Sequence, residues 1–334
     1  MSVDAEKDDA RELEEKLEGI VRTVVARHAG DEPERVARKA GGISSHTFEA
    51  DVPRDRFIIR MGEGAEKLAG FERERRAVER ARHAGVPTQR IVAVGSEDGW
   101  AYSMAQSLAG TPAADHPERL RVLEELGRFA AVVHTICTVG FGRDFSWAGD
   151  AAHADAQPRL AHDESTGVEP AGVATWSGFL YEELKARERL DLLCTHRVLA
   201  DRQHALLAAT LDEVSRWDAA PVLNHGDLRL KNVVVNDEGH ILGLIDWEAC
   251  VSCIGSQWDT SLALHDLGID AKEAFLAGYG MSSAVVHESA PVWRLFNAIN
   301  YAPRVEQLVA EGDEQGLERL RTRLSGALDL YGAA

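Results

Sequence analysis

Apolar positions recur with a helical period at the start of this chain and with shorter, strand-like patterns after it. The first thirty residues predict an amphipathic helix, with apolar positions Leu13, Leu17, Ile20, Val21, Val24 and Val25. Three segments then predict strands joined by turns: KAGGISSHTFEADV, RFIIRM and the hairpin IVAVGSEDGWAYSMAQ. Between the last two, FERERRAVERARHAG predicts a charged helix that ends at Gly85.

The pattern becomes mainly helical after residues 108–112, which predict a linker. Helices are predicted over residues 118–134, 176–190 and 199–217, and from about Trp258 onward. Three short apolar runs, VLN, VVVN and ILGLID, predict strands among them, while residues 143–172 predict no regular element. We therefore expect an α+β protein, with a small β-rich lobe over residues 1–106 and a larger, mainly helical lobe over residues 107–334.

Charge and composition narrow the classes of partner. The 334 residues carry a formal net charge of −18, which argues against a nucleic acid and is compatible with a cationic small molecule. No run of 18 apolar residues predicts a membrane span, and the polar N-terminus does not resemble a secretory signal, so we expect a cytoplasmic protein. Cys250 and Cys253 form a lone C-x-x-C without the further ligands that zinc needs.

The segment from Asn224 to Glu248 holds the clearest candidate chemistry. Asp227 and Asn232 have the spacing D-x-x-x-x-N, and Asp246 ends a later apolar run. This spacing matches a kinase catalytic loop, in which one Asp positions the acceptor hydroxyl and accepts its proton while Asn and a second Asp bind Mg²⁺. A single Asp or Asn here would more often be an ordinary turn residue. The whole group in this order favours phosphoryl transfer, with Asp227 as base and Asn232 and Asp246 as metal ligands.

HGDLRLKN followed by LIDWE resembles the aminoglycoside-phosphotransferase and choline-kinase-like family, whose pattern is H-x-D-x4-N and then I-D-W or I-D-F. The resemblance implies a bilobal protein-kinase-like fold, with Mg²⁺ and ATP or GTP as cofactors. It also implies that His225 supports the loop, and that Asp259 braces it. An acid at a helix N-terminus is the alternative interpretation of Asp259. The segment around residues 175–180 is loosely similar to hygromycin-type phosphotransferases.

The same resemblance implies nucleotide contacts in the small lobe. Arg60 stands on the strand where kinases usually carry Lys, and Glu74 is its expected partner, with Glu72 and Glu79 as alternatives. A surface strand arginine is the alternative interpretation of Arg60.

Two further nucleotide contacts are implied. The turn of residues 41–45, with Ser44 and Ser45, would cover the phosphates, although a hairpin turn explains its glycines equally well. Met104 and Gln106 would lie at the hinge that reads the nucleobase through the backbone.

We therefore expect an enzyme that transfers the γ-phosphoryl of ATP or GTP to a hydroxyl of an aminoglycoside or related antibiotic. A kinase of an amino alcohol or sugar, and a nucleotide-binding pseudokinase, are the alternatives. A cationic acceptor would find carboxylates at Glu182, Glu183 and Glu248.

Overall fold

The computed structural model describes residues 3–39, 45–148, 175–265 and 267–329. The chain divides into two compact units. The first comprises Met1–Thr111, Val234–Asp237 and Leu242–Glu248, and the second comprises Pro112–Val233, Glu238–Ile241 and Ala249–Ala334. Asp246 therefore belongs to the first unit, whereas Asp227 and Asn232 belong to the second.

The first unit contains a five-stranded antiparallel sheet in the order β1-β2-β3-β5-β4. Its strands are β1 (Arg35–Lys39), β2 (His46–Asp51), β3 (Arg56–Glu63), β4 (Ile91–Glu97) and β5 (Trp100–Gln106). Asp98 and Gly99 both have positive φ and join β4 to β5, which confirms the predicted hairpin. The turn predicted between β1 and β2 lies outside the described residues except for Ser45.

Helices α1 (Val3–Ala29) and α2 (Gly64–His83) complete this part of the first unit. The predicted amphipathic face of α1 is confirmed, because its central apolar residues join one buried cluster with Phe48, Ile59 and Met104 of the sheet. Helix α2 begins seven residues before its predicted start at Phe71. Gly70 lies inside the helix, where a glycine costs only about 1 kcal/mol, so the helix continues through it.

The second unit is mainly helical. Its helices are α3 (Arg119–Val133), α4 (Ala186–Thr195), α5 (Asp201–Val214), α6 (Gln257–Leu264), α7 (Ile269–Tyr279), α8 (Ser283–Glu311) and α9 (Glu314–Asp329). Its largest core cluster contains Trp176, Phe179 and Phe296. The predicted helices over residues 118–134 and 199–217 are thus confirmed within a few residues, as is the helical C-terminal region.

Seven short strands of the described residues follow β5 along the chain. They are β6 (Thr111–Pro112), β7 (Thr138–Val139), β8 (Ser146–Trp147), β9 (Pro221–Asn224), β10 (Val233–Val235), β11 (Ile241–Leu244) and β12 (Val251–Ile254). β9 pairs with β12, β7 pairs with β8, and the third sheet has the order β11-β10-β6. The strand signals VLN, VVVN and ILGLID are confirmed as β9, β10 and β11, whereas β6, β7, β8 and β12 were not predicted. β8 lies in the segment of residues 143–172, for which no regular element was predicted, and residues 149–172 of that segment lie outside the described residues.

The helical stretch predicted over residues 176–190 is helical, but it is not one continuous α-helix. A short helical turn (Trp176–Gly178) leads into a π-helical segment (Phe179–Glu183), and Lys185 then adopts a left-handed φ of 50° before α4. The apolar spacing continues across this break, which is why the sequence suggested one element. π-Helical turns are rare and occur frequently at functional sites.

The sheet-containing N-terminal region and the mainly helical C-terminal region confirm the α+β class. None of the helices in the described ranges is long and apolar enough to cross a membrane.

Candidate active site

Arg60 and Glu74 form a buried ion pair in the first unit. Arg60 lies in the middle of β3, and its guanidinium donates to the fully buried carboxylate of Glu74 on α2. Its Nη1 atom also lies 3.5 Å from Asp246 Oδ1 and 3.6 Å from Glu248 Oε2. The structure thus brings Arg60, Glu74 and Asp246 together. The alternative partners, Glu72 and Glu79, instead flank Arg75 on the same helix.

The electrostatics of this cluster follow from its burial. Burial alone would lower the pKa of Arg60, but the carboxylates of Glu74, Asp246 and Glu248 outweigh it and raise that pKa above its ordinary value. Burial raises the pKa of the Glu74 carboxyl, and Arg60 opposes this shift. A permanently charged guanidinium therefore lies among three carboxylates. Its N–H groups could donate hydrogen bonds to a bound anion.

Lys67 extends the same cluster and was missed by the sequence analysis. Its Nζ lies 3.1 Å from Glu248 Oε1 and 5.1 Å from the centre of the Phe71 ring, over which Arg60 also lies at 5.4 Å. Lys67, Phe71 and Glu74 follow the i, i+4, i+7 spacing of one helix face. That signal was available, but the predicted helix began too late to include Lys67.

Asp246 has an unusual backbone conformation. It follows β11 with a φ of 64°, in the left-handed region, and 47% of its side chain is exposed. Non-glycine residues in this region cost free energy and cluster at functional sites, and Asp tolerates the conformation better than most residues. The strand that leads to Asp246 is anchored by the Leu244 N–H, which donates to Pro87 O at 2.9 Å.

No side-chain hydrogen bond or ion pair in the described ranges joins the other predicted nucleotide residues of the first unit to this cluster, and Met104 pairs with Ile59 of β3, next to Arg60. The Met104 side chain is fully buried in the core shared with α1. Gln106 donates its main-chain N–H to Arg90 O and its side-chain amide to Asp55, both at 2.9 Å. Ser45 is half-buried just before β2, and Ser44 lies outside the described residues. A nucleotide contact by any of these four residues stays a prediction.

The loop that follows β9 presents Asp227 in the second unit. Asn232 Nδ2 donates to both the main-chain O and the Oδ2 of Asp227 at 2.9 Å. Lys231 Nζ lies 2.8 Å from Oδ2, and the Arg229 guanidinium donates to Oδ1. Asp227 and Asn232 are thus brought together as the D-x-x-x-x-N spacing predicted. The cations at positions 229 and 231 were not predicted.

Opposing effects set the charge of Asp227. Partial burial raises its pKa, but the hydrogen bond from Lys231 and the charge of Arg229 outweigh burial, so the pKa lies below its ordinary value. The carboxylate is therefore ionised at neutral pH, as an acceptor of a hydroxyl proton must be.

Asp259, in the first turn of α6, holds the backbone of this loop. Its carboxylate accepts the main-chain N–H groups of His225 at 2.6 Å and Gly226 at 2.8 Å. The buried His134 lies 3.2 Å from the same carboxylate, and Asn224 accepts the Asp259 N–H at 3.2 Å. Asp259 is thus both a helix N-terminal acid and a partner of the loop, so the two interpretations of its sequence position coexist.

A pocket of about 430 Å³ lies beside the loop within the second unit. Its lining includes Gly226, next to Asp227, together with Trp258 and Arg189. This volume is in the range of small-molecule sites. Glu183 also lines the pocket, whereas Glu182 does not line it.

No group of three or more His, Cys, Asp or Glu side chains in the described ranges is arranged to hold a metal ion. The side-chain nitrogen of Asn232 donates its hydrogen bonds to Asp227. The Oδ1 atom of Asn232 accepts no hydrogen bond from the part of the chain that the structure describes. The oxygen of Asn232 and the exposed carboxylate of Asp246 are the donor types that Mg²⁺ prefers, and Mg²⁺ commonly takes its other ligands from phosphates and water.

One family of known proteins matches most of this chain. The family model described as APH, phosphotransferase enzyme family, matches residues 35–288. No curated protein sequence matches the chain.

Several solved structures share the fold. A thermostable mutant of aminoglycoside phosphotransferase APH(4)-Ia in its apo form has a TM-score of 0.63 at 17% identity, covering 94% of this chain and 100% of that one. A putative fructosamine-3-kinase from Haemophilus somnus has a TM-score of 0.58 at 12% identity, covering 92% and 96% of the two chains. Macrolide 2′-phosphotransferase MphH from Brachybacterium faecium has a TM-score of 0.57 at 16% identity, covering 91% and 97%. These similarities confirm the predicted kinase-like fold.

Proposed function

Since the chain belongs to the phosphotransferase enzyme family, we propose that it transfers the γ-phosphoryl group of ATP to a hydroxyl of a small molecule. The observation that carries this proposal is the loop of Asp227. An ionised carboxylate is held beside Asn232, on a backbone that Asp259 fixes through two N–H groups. A small kinase needs this arrangement, since its catalysis depends mainly on positioning.

The donor groups of Arg60 support a nucleotide-phosphate contact in the first unit. Arg60 is the buried cation with its fork of donors next to exposed acids, and a guanidinium binds phosphate oxygens well. Among the solved structures with this fold, APH(4)-Ia forms complexes with ADP or AMP-PNP together with hygromycin B. This supports ATP as donor here, with GTP as the alternative.

Asn232 and Asp246 are the residues we assign to Mg²⁺, because their oxygen atoms fit it. When bound, the ion would neutralise charge on the phosphate oxygens. Asp227 is not assigned to the ion and keeps its carboxylate for the acceptor.

The transfer exchanges one P–O bond for another. The acceptor oxygen forms a bond to the γ-phosphorus, the bond between that phosphorus and the bridging oxygen breaks, and ADP leaves with the electron pair. The hydroxyl proton passes to a carboxylate oxygen of Asp227. Arg229 and Lys231 keep this carboxylate ionised beforehand.

Particular residues bear on the choice of acceptor and on the pseudokinase alternative. The sequence favoured an aminoglycoside over an amino alcohol or sugar as the acceptor. The pseudokinase alternative depended on Arg60 in place of Lys. Since Arg60 makes the ion pair with the helix Glu74 that the kinase Lys would make, this substitution does not argue against activity.

The test is ADP release from Mg·ATP by the full chain, screened with amino alcohols, sugars, hydroxy acids and aminoglycosides. Asp227→Asn should bind nucleotide as the wild type does and lose turnover by about two to four orders of magnitude, because the base is removed. Wild-type turnover in this variant would contradict the assignment of Asp227. Failure of the wild type to bind Mg·ATP would contradict the proposed function as a whole.

A further inference from the structure

Arginine side chains dominate the charge of the pocket beside the loop. Arg143 and Arg189 both line it, and Glu183 is the carboxylate among the lining residues. This local balance is the reverse of the whole chain, whose formal net charge is −18. A pocket that selected a polycationic acceptor would be expected to show the opposite balance.

Glu183 is committed to the backbone of the pocket wall. Its Oε1 accepts the main-chain N–H of Arg143 at 3.2 Å. Its carboxylate also lies so close to Gly142 that a Cβ at that position would meet Oε2 at 1.8 Å. Glu183 therefore contributes to the shape of the wall, and its Oε1 already accepts the Arg143 N–H.

Arg189, at the start of α4, is half-buried and makes no ion pair or side-chain hydrogen bond with the residues that the structure describes. Burial and the nearby charge of Arg143 lower the pKa of Arg189, while Glu306 opposes them from a distance. A half-buried guanidinium to which the described residues offer no ionic partner is costly, and an anionic ligand would reduce that cost.

Asn300 adds an unused donor. It lines this pocket, and its Nδ2 is buried without a hydrogen-bond partner in the described ranges. It also lines a neighbouring pocket of about 210 Å³, together with Arg229 and Arg304. Arg229 is the residue that donates to Asp227. Arginines therefore line both pockets, on either side of Asn300.

A local feature of the backbone supports a functional role for the first pocket. The π-helical segment that ends at Glu183 supplies Phe179 and Glu183 to the pocket, and Lys185 takes a left-handed φ directly after it. Such irregular turns persist where a site requires them.

We propose that the acceptor of this enzyme carries an anionic group, a carboxylate or phosphate, that binds Arg143, Arg189 and Asn300 in the pocket beside Asp227. The proposal rests on the proposed function and names the class of its acceptor: a hydroxyl-bearing acid rather than an aminoglycoside. Guanidinium groups bind carboxylate and phosphate through paired hydrogen bonds, and Asn300 supplies a further donor to an anionic oxygen.

The experiment measures binding in matched pairs that differ by one anionic group: glycerate against glycerol, serine against ethanolamine, and gluconate against glucose. Hygromycin B serves as the polycationic probe. Affinities are measured by ligand-observed NMR on the full chain with AMP-PNP and Mg²⁺ present, so that the nucleotide-phosphate site is occupied. In at least one pair the anionic member should bind about tenfold more tightly or better, since a charge-assisted hydrogen bond contributes at least that factor.

Variants locate the site. Arg189→Gln and Arg143→Gln should each reduce the preference for the anion, and the double variant should remove it. Arg202→Gln is the matched control, because this exposed arginine on α5 does not line the pocket. Thermal unfolding of Arg189→Gln should be unchanged or shifted upward, since the variant removes a half-buried charge that has no ionic partner among the described residues.

Three outcomes would overturn the proposal. In the first, the member without the anionic group binds as tightly as the anionic member, or more tightly, in every pair. In the second, the preference for the anion survives in the double variant, and in the third, Arg60→Gln removes it instead. The proposed function fails separately, through loss of Mg·ATP binding or of ADP release. Anion selectivity and kinase activity are therefore tested by different readouts.

Discussion

Arg60 illustrates how one side chain can satisfy several neighbours. Its guanidinium faces the buried Glu74 on one side and the exposed acids Asp246 and Glu248 on the other. A lysine ammonium is a single point of charge, whereas the planar fork of arginine can serve two carboxylates at once. The arginine at this position is therefore compatible with an ordered nucleotide site.

The buried pair predicts a stability coupling. Arg60→Met should reduce the free energy of unfolding by about 3–5 kcal/mol, because it leaves the Glu74 carboxylate buried without its partner. The double variant Arg60→Met/Glu74→Gln should recover part of this loss, as measured by urea unfolding. Additive losses in the double variant would show that the two side chains are not energetically coupled.

Gly226 directly precedes the proposed base, Asp227, in the loop after β9. Its φ is 86°, and a Cβ at this position would meet Ala249 O at 1.8 Å, a backbone atom that cannot rotate away. Both the left-handed conformation and the close approach therefore require glycine.

We expect Gly226→Ala to lose most turnover and to destabilise the protein by about 3 kcal/mol or more, since both strain and a backbone clash are introduced. Gly255→Ala is the matched control, because Gly255 has a φ of 59° but nothing within 4 Å of an added Cβ. The control should cost only about 1–2 kcal/mol and keep turnover. Urea unfolding and ADP release measure both effects, and equal losses in the two variants would mean that the clash with Ala249 has no separate effect.

At the scale of elements, helix α6 and the loop after β9 are joined by several hydrogen bonds. The first turn of α6 supplies Asp259, which accepts two loop N–H groups, and the side chain of Asn224 at the end of β9 accepts the N–H of Asp259 in return. β9 is also paired with β12, which directly precedes the helix. The loop is therefore held by a strand pair and a helix end at once.

Asp259→Asn tests this interpretation. The amide keeps one acceptor oxygen but directs an NH₂ group at one of the two loop N–H groups, so the loop should shift. We expect kcat to fall by about 10²-fold, as small misplacements of a catalytic group do, while the dissociation constant for Mg·ATP changes little.

Asp270→Asn is the control for this variant. Asp270 is an exposed acid in the first turn of α7, so it shares the favourable position at a helix N-terminus without contacting the loop. Its replacement should leave kcat unchanged. If both variants lost activity equally, the effect of Asp259 would be one of helix charge rather than of loop position.

The sequence predicted the elements with strong local patterns and missed those that depend on tertiary contacts. Helix α1, the β4–β5 hairpin and the motif at Asp227 are local signals, so they could be predicted. β12 could not, because four residues without alternation become a strand only through pairing with β9. The association of Arg143 with Arg189 could not be predicted either, since nothing local relates residues so far apart in sequence.

At the scale of the molecule, the four cysteines differ in how deeply they are buried. Cys137 is exposed, whereas Cys250 and Cys253 are buried, the latter within β12. Burial raises the pKa of the Cys253 thiol well above its ordinary value. The neutral thiol is therefore favoured, and the reactive thiolate stays scarce even as the pH rises toward 9.

Maleimide labelling of the native protein should thus modify Cys137 first and spare Cys253 between about pH 7 and 9, with full labelling only in guanidinium chloride. Peptide mapping by mass spectrometry gives the rates, and Cys137→Ser identifies the fast site. Native labelling of Cys253 as fast as that of Cys137 would mean that β12 separates readily from β9.

The contact of Asp259 with the loop also bears on how this enzyme can diversify. Asp259 binds main-chain N–H groups, which every residue except proline possesses, so its hold on His225 does not depend on that side chain. Exchange of the His225 side chain thus leaves this main-chain contact intact, whereas few exchanges at Gly226 or Asp259 would be tolerated. New acceptor specificities can accordingly arise by mutation of pocket side chains around a loop whose placement is inherited unchanged.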